Sequence, residues 1–176
     1  MRLVVAESAE LDEAVVVSLH RLWQAAFDDF SVEDADHSFG GVHALLLERG
    51  EVVSHAAVVP RDLVVGDRSF AAGYVEGVAT APGQQGGGLG SRVMTELGRV
   101  IRERHTFAAL STSSTGFYRR LGWERWRGPT YVRKVDGSLE RTEDEDDGIM
   151  ALRFGPSAEV DLTSPITCED RPGDAW

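Results

Sequence analysis

Apolar positions follow two rhythms along this chain. Between residues 11 and 27, Val15, Leu19, Leu22, Trp23 and Ala26 recur at i, i+4, i+7, i+8 and i+11, the spacing that lines one face of a helix. Leu89–Arg104 repeats that rhythm with Val93, Leu97, Val100 and Ile101 inward. Short apolar runs predict strands at 1–6, 42–48, 52–59, 63–65, 69–79 and 107–110. Arg49-Gly50-Glu51 and Gly66-Asp67 read as hairpin turns. Pro60-Arg61-Asp62 is expected to end the strand before it, and residues 116–121 to form a short helix. Residues 28–36, with Asp28, Asp29, Glu33, Asp34 and Asp36, read as an acidic loop. Beyond residue 121 the pattern is strand-like, with an acidic interruption at 140–147. The predicted order, β-α-β-β-β-α-β-α-β, is a mixed α/β (α+β) sandwich in one domain over residues 1–176.

Composition narrows the function classes. Glu7 interrupts the N-terminal apolar run before a signal-type core can build, and no run approaches a membrane span of ~18 residues. A cytoplasmic location is therefore expected. Cys168 is the only cysteine, so no internal disulfide or cysteine-based metal site is expected, and it reads as a small hydrophobe. His20, His37, His43, His55 and His105 show no metal-ligand spacing, so none receives a role and no metal is expected.

The net charge of −11 opposes nucleic-acid binding, which needs a basic face. The charge is unevenly placed. Residues 92–134 hold ten of the 18 basic residues and three acids, +7 in all, which leaves −18 for the remainder. One region suits a polyanion and another a polycation, although a single arginine is as often part of a solvated face.

The most specific segment runs Val75-Glu76-Gly77-Val78-Ala79-Thr80-Ala81-Pro82-Gly83-Gln84-Gln85-Gly86-Gly87-Gly88-Leu89-Gly90. A strand enters a proline turn, then glycines, then a helix start. Glycines let backbone N–H groups converge on a phosphate, and the helix N-terminus adds unpaired N–H groups and partial positive charge. Ser91-Arg92 after Gly90 excludes a Walker loop, and Val93 excludes a dinucleotide fingerprint.

Gln85-Gly86-Gly87-Gly88-Leu89-Gly90 resembles the pyrophosphate loop of GNAT acetyltransferases. That resemblance implies a central, mostly antiparallel sheet, splayed at the acetyl-CoA site and flanked by helices. The pantetheine arm would pair with the backbone of Val78, Ala79 and Thr80, and the pyrophosphate would lie on Gln85, Gly86, Gly87, Gly88, Leu89 and Gly90. Glycines stand where relatives often carry arginine, which shifts those contacts to the backbone. A narrower likeness joins Phe39-Gly40-Gly41-Val42-His43, Gly73-Tyr74-Val75-Glu76-Gly77-Val78-Ala79, Phe117-Tyr118-Arg119-Arg120-Leu121-Gly122-Trp123, Trp126-Arg127-Gly128-Pro129-Thr130, Asp146-Asp147-Gly148 and the run from Cys168 to Trp176. Together these resemble the aminoglycoside 2′-N-acetyltransferases, and the terminal Gly-Asp-x-Trp is the most particular part.

The likeness implies roles. Glu76 is the candidate base, acting through water, or else a carboxylate that only binds an ammonium. The Val78 N–H is the candidate oxyanion donor. Tyr118, which on its apolar helix could equally be core packing, becomes the candidate acid for the coenzyme A thiolate. Substrate contacts are carried over to Asp29, Asp34, Glu76, Gly77, Ser111, Asp146, Asp174 and Trp176, whose carboxylates would steer and hold a polycationic aminoglycoside. The chain's last carboxylate, on Trp176, would add a further ammonium ligand. Resistance to the antibiotic and a homodimer are implied in the same way. Two other readings stay open: a GNAT enzyme acting on another cationic amine, such as a polyamine or peptide, and a non-catalytic acetyl-CoA-binding module.

Overall fold

The computed structural model describes residues 1–176. The chain divides into two compact bodies, residues 1–59 with 75–100, and residues 60–74 with 101–176. Ten strands hydrogen-bond in the order β6 (Glu124–Arg125), β9 (Ile149–Arg153), β5 (Phe107–Ser111), β4 (Arg68–Thr80), β3 (Glu51–Val65), β10 (Ile166–Glu169), β7 (Thr130–Arg133), β8 (Leu139–Arg141), with β2 (Val42–Glu48) also on β3 and β1 (Arg2–Glu7) on β2. Most pairings are antiparallel; β4–β5 and β7–β10 are parallel.

In the first body, β1 (Arg2–Glu7) pairs with β2 (Val42–Glu48), and β2 with β3 (Glu51–Val65). Arg49 and Gly50 both take positive φ, 54° and 89°, as a two-residue hairpin turn matching the strand twist requires. Helix α1 (Glu13–Ala26) starts where the Asp12 carboxylate accepts the Val15 N–H at 2.8 Å. Its predicted stripe buries Leu19, Leu22 and Trp23 against Leu45, Leu47, Val52 and Ala79, with Val15 and Ala26 packed alongside. Burying one such large side chain contributes roughly 1.5–3 kcal/mol.

The acidic segment expected to be a loop contains a helix, α2 (Val32–His37). The Ser31 hydroxyl accepts the Asp34 N–H at 3.1 Å, and the Asp34 carboxylate accepts the Ser31 N–H at 2.8 Å. This capping box starts the helix, its acids suit the positive N-terminal end, and buried Ala35 anchors it.

Strand β3 does not stop at Pro60. It pairs with β2 through Val58 and with β10 (Ile166–Glu169) from Leu63 to Val65. Pro60 falls between these partners on that edge, where no backbone donor is required. Strand β4 (Arg68–Thr80) follows a turn at Gly66, and α3 (Leu89–Arg104) buries the predicted Val93, Leu97, Val100 and Ile101.

In the second body, β5 (Phe107–Ser111) pairs with β9 (Ile149–Arg153), and β6 (Glu124–Arg125) also pairs with β9. Between β5 and β6 lies α4 (Thr115–Arg119). Strand β7 (Thr130–Arg133) pairs with β8 (Leu139–Arg141) and β10. Fully buried Phe107 and Trp126 centre the core, and the Trp126 indole donates to the Ser164 carbonyl at 3.0 Å. No helix is long and apolar enough to cross a membrane.

Candidate active site

Within the first body, β4 bends at Gly77, where φ is +58°. A side chain there would meet Ser38 Oγ at 2.6 Å and the Trp23 indole nitrogen at 3.1 Å. Positive φ and close neighbours therefore both require glycine. The Gly77 carbonyl accepts two hydrogen bonds, from Trp23 Nε1 at 3.0 Å and from His55 Nδ1 at 2.7 Å. Half-buried Glu76 and Val78 flank this turn, so its geometry aims both.

His55 belongs to a buried histidine pair that received no role from the sequence. His43 Nδ1 lies 2.9 Å from His55 Nε2, and His43 Nε2 lies 2.7 Å from Ser8 Oγ. Both rings are fully buried. Burial pushes His43 down to about 4, opposed by Glu7. Burial, then the neighbouring His43, push His55 down to about 3, opposed by the bond to Gly77. Both are neutral at physiological pH. The hairpin register could have revealed them: His55 stands opposite Leu45, two residues beyond His43 on the same face.

The glycine loop continues from this strand. Ser54 Oγ lies 3.1 Å from the Ala79 carbonyl and 2.8 Å from Thr80 Oγ1, while Gln85 donates to the Thr80 carbonyl at 3.1 Å. Gly86 and Gly88 take φ of +76° and +81°, and no atom lies within 4 Å of where either side chain would stand. The first α3 bond, Arg92 N–H to Gly88 carbonyl at 3.1 Å, leaves the N–H groups before Arg92 without intrahelical acceptors. Open space beside Gly86 and Gly88, next to the N-terminal N–H groups of a 16-residue helix, suits a pyrophosphate. Of the predicted acids in this body, Asp29 is exposed after α1, and Asp34 serves the α2 capping box.

The second body gathers other predicted residues around a groove of about 560 Å³. Asp174 and Trp176 line it with Arg141, Glu143, Asp144 and Glu145. Ser111 donates to Glu145 at 3.0 Å. Burial raises the Glu145 carboxyl above its ordinary value, relieved by Ser111 and reinforced by Asp174 and Asp144. Trp176 is buried and its indole donates to Thr142 Oγ1 at 3.1 Å. Arg61 holds the segment before it, donating to the Ala175 carbonyl at 2.7 Å and the Glu169 carbonyl at 2.9 Å.

Asp146 is not among the groove-lining residues. Its carboxylate pairs with Arg141 and accepts from the Thr130 hydroxyl at 3.0 Å and the Thr130 N–H at 3.1 Å. Arg141, and then Thr130, hold it below the usual carboxylate range. Its neighbour Glu145, absent from the sequence-predicted set, does line the groove. Tyr118 is buried on α4, edge-on to Phe117 and Trp123. Burial raises its hydroxyl well above the ordinary tyrosine value, so it keeps its proton at neutral pH.

Comparisons with known proteins agree with this architecture. The family model described as an acetyltransferase (GNAT) domain matches residues 9–126. An aminoglycoside 2′-N-acetyltransferase of Mycolicibacterium fortuitum is 39% identical over 174 residues, 96% of this chain and 89% of that protein. Among solved structures, a GNAT family N-acetyltransferase (YhbS) from Escherichia coli in complex with CoA superposes with a TM-score of 0.69 at 15% identity. It covers 96% of this chain and 90% of that one. A GNAT family acetyltransferase from Brucella melitensis in complex with acetyl-CoA gives 0.61 at 18% identity, covering 89% and 90%. These two share the fold. With its glycine loop at the head of α3 and a family match over most of its length, the chain belongs to the GNAT acetyltransferases.

Proposed function

We propose that this enzyme transfers the acetyl group of acetyl-CoA to the 2′-amine of an aminoglycoside, and so confers resistance to it. The groove carries the reading. Glu143, Asp144, Glu145 and Asp174 line it beside Trp176, and none of these four carboxylates forms a salt bridge; Arg171 reaches Asp174 only through its main-chain carbonyl, at 2.8 Å. Acids outnumber the groove's two cations, Lys134 and Arg141, and such an excess of carboxylates suits a substrate bearing several ammonium groups; the substrate class is that named for the Mycolicibacterium fortuitum relative.

Acetyl-CoA supplies an activated thioester. Gln85 and the backbone of residues 86–90 hold its pyrophosphate, and the backbone of Val78, Ala79 and Thr80 receives its pantetheine arm. Glu76 takes the amine proton through water, and the Val78 N–H donates to the developing oxyanion. Tyr118 donates to the departing thiolate. Gly77 shapes the turn that aims Glu76 and Val78. Asp29, Asp34, Ser111, Asp174 and Trp176 contact the aminoglycoside. Glu145 joins them, and Asp146 supports it by fixing the turn through Arg141. The apolar pattern extends the reading to a cytoplasmic enzyme, and family likeness to a homodimer, which sedimentation of the purified protein tests.

Regiochemistry is the direct test. Coenzyme A release is measured with paired aminoglycosides that carry either a 2′-amine or a 2′-hydroxyl, and the product is located by NMR. Only one nitrogen can lie about 3 Å from the thioester carbon, so acetylation at the 2′-amine alone is expected. Product at the 3- or 6′-amine would remove the 2′ assignment.

A further inference from the structure

The Gly77 carbonyl can only accept a hydrogen bond, and this fixes the direction of the hydrogen-bond chain behind it. His55 must carry its proton on Nδ1 to donate to Gly77 at 2.7 Å. Being neutral, it leaves Nε2 bare, and that nitrogen accepts from His43 Nδ1 at 2.9 Å. The same logic leaves His43 Nε2 bare, to accept from Ser8 Oγ at 2.7 Å, a closer acceptor for the one hydroxyl proton than the Gly41 carbonyl at 3.1 Å. Ser8 Oγ in turn accepts the N–H groups of Gly40 and Gly41 at 3.0 and 3.2 Å. Every donor faces an acceptor, and every step points from the turn before β2 toward the bend in β4. Reversing either ring would leave two donors or two bare acceptors facing each other between the fully buried His43 and His55.

We propose that Ser8, His43 and His55 form a positioning chain that holds the Gly77 carbonyl and thereby sets the geometry of Glu76 and the Val78 N–H for acetyl transfer. The inference rests on the roles proposed above for Glu76 and Val78. The three residues touch neither substrate nor coenzyme in this assignment; they act through the turn. Gly40, Gly41 and His43 lie in one of the segments that carry the family likeness, and Gly77 lies in another. The chain supplies a physical link between them. Trp23 anchors the same carbonyl from α1, so the turn is fixed from two directions.

The test uses the intact enzyme and two substitutions. His55→Phe fills the space and removes the donor to Gly77. His55→Asn restores an N–H where Nδ1 stood. The expected result for His55→Phe is a fall in kcat on the order of 10²-fold, as a small misplacement of reacting groups produces, with acetyl-CoA affinity within about twofold of wild type because the glycine loop is untouched. His55→Asn is expected to recover most of kcat. Wild-type kcat in folded His55→Phe, or equal losses in both variants, overturns the chain. A second readout needs no turnover: ¹⁵N NMR of the wild-type imidazoles at neutral pH should show both His43 and His55 protonated on Nδ1 and bare on Nε2. The opposite tautomer in either ring overturns the inference even if the enzyme is active. Absence of coenzyme A release by the wild-type protein with any 2′-amine would instead count against the proposed function, with the tautomers still deciding the chain.

Discussion

The Ser111 hydroxyl donates to the Glu145 carboxylate across 3.0 Å, tying the end of β5 to the acidic turn that lines the groove. Glu145 is therefore placed to meet an ammonium, while Asp146 beside it is occupied by Arg141 and Thr130. Glu145→Gln should raise KM for an aminoglycoside about 10-fold, the scale of one charge-assisted hydrogen bond, and leave acetyl-CoA affinity unchanged. Asp147→Asn, at an exposed carboxylate paired with Arg125, is the control and should change neither. Because burial raises the Glu145 carboxyl, aminoglycoside affinity should strengthen as pH rises through the acidic range and Glu145 ionises. Equal KM values for the two variants would dissociate Glu145 from the substrate.

Gly88→Asp should abolish acetyl-CoA binding in a protein that remains folded. The left-handed conformation at Gly88 costs an aspartate about 1 kcal/mol, and beyond its chain neighbours no atom lies within 4 Å of the added Cβ. The carboxylate instead enters the space assigned to the pyrophosphate. Calorimetric titration with acetyl-CoA decides it: undiminished affinity would remove the loop from the coenzyme site.

Tyr118→Phe should lower kcat by about 10²-fold, the scale of a lost general acid, with little change in aminoglycoside KM or in melting temperature. The ring contacts to Phe117 and Trp123 survive the substitution, so folding is not at issue. A wild-type pH–rate profile in the variant would reduce Tyr118 to packing.

Acid should destabilise the fold earlier than its carboxylates require. His43 and His55 are held at about 4 and about 3 when folded, against about 6.5 in an unfolded chain. Below pH 6.5 the unfolded chain binds more protons than the folded one, so stability falls as pH falls. By pH 5, His43 alone should account for about 2 kcal/mol. Urea unfolding between pH 7 and 5, where ordinary carboxylates scarcely titrate, checks this. The slope should flatten when both histidines are replaced by asparagine; an unchanged slope would assign it to other groups.

How much of this was legible in the sequence depends on the range of the interaction involved. Both long helices and the glycine loop were, because a repeat of apolar positions or a run of glycines is written locally. The helix at 32–37 was obscured because its Ser31–Asp34 box lies among acids that read as solvated loop. The course of β3 through Pro60 depends on β10, more than a hundred residues later. Neighbouring carboxylates cannot be told apart by composition, so the choice between Glu145 and Asp146 needed the positions of Ser111 and Arg141. The histidine pair was hidden for a different reason. A search for metal spacing passes over two imidazoles that bond to each other, and only strand register puts them on one face.

The pair of hydrogen bonds accepted by the Gly77 carbonyl bears on engineering. Trp23 and His55 share one acceptor, at 3.0 and 2.7 Å, and their rings also meet edge-on with centroids 5.3 Å apart. Each donor polarises the oxygen that the other uses, and removing one lets the carbonyl turn toward the survivor. Substitutions at positions 23 and 55 are therefore not independent. A library that scores them one at a time will misjudge their combination, and the two sites belong in a single combinatorial block.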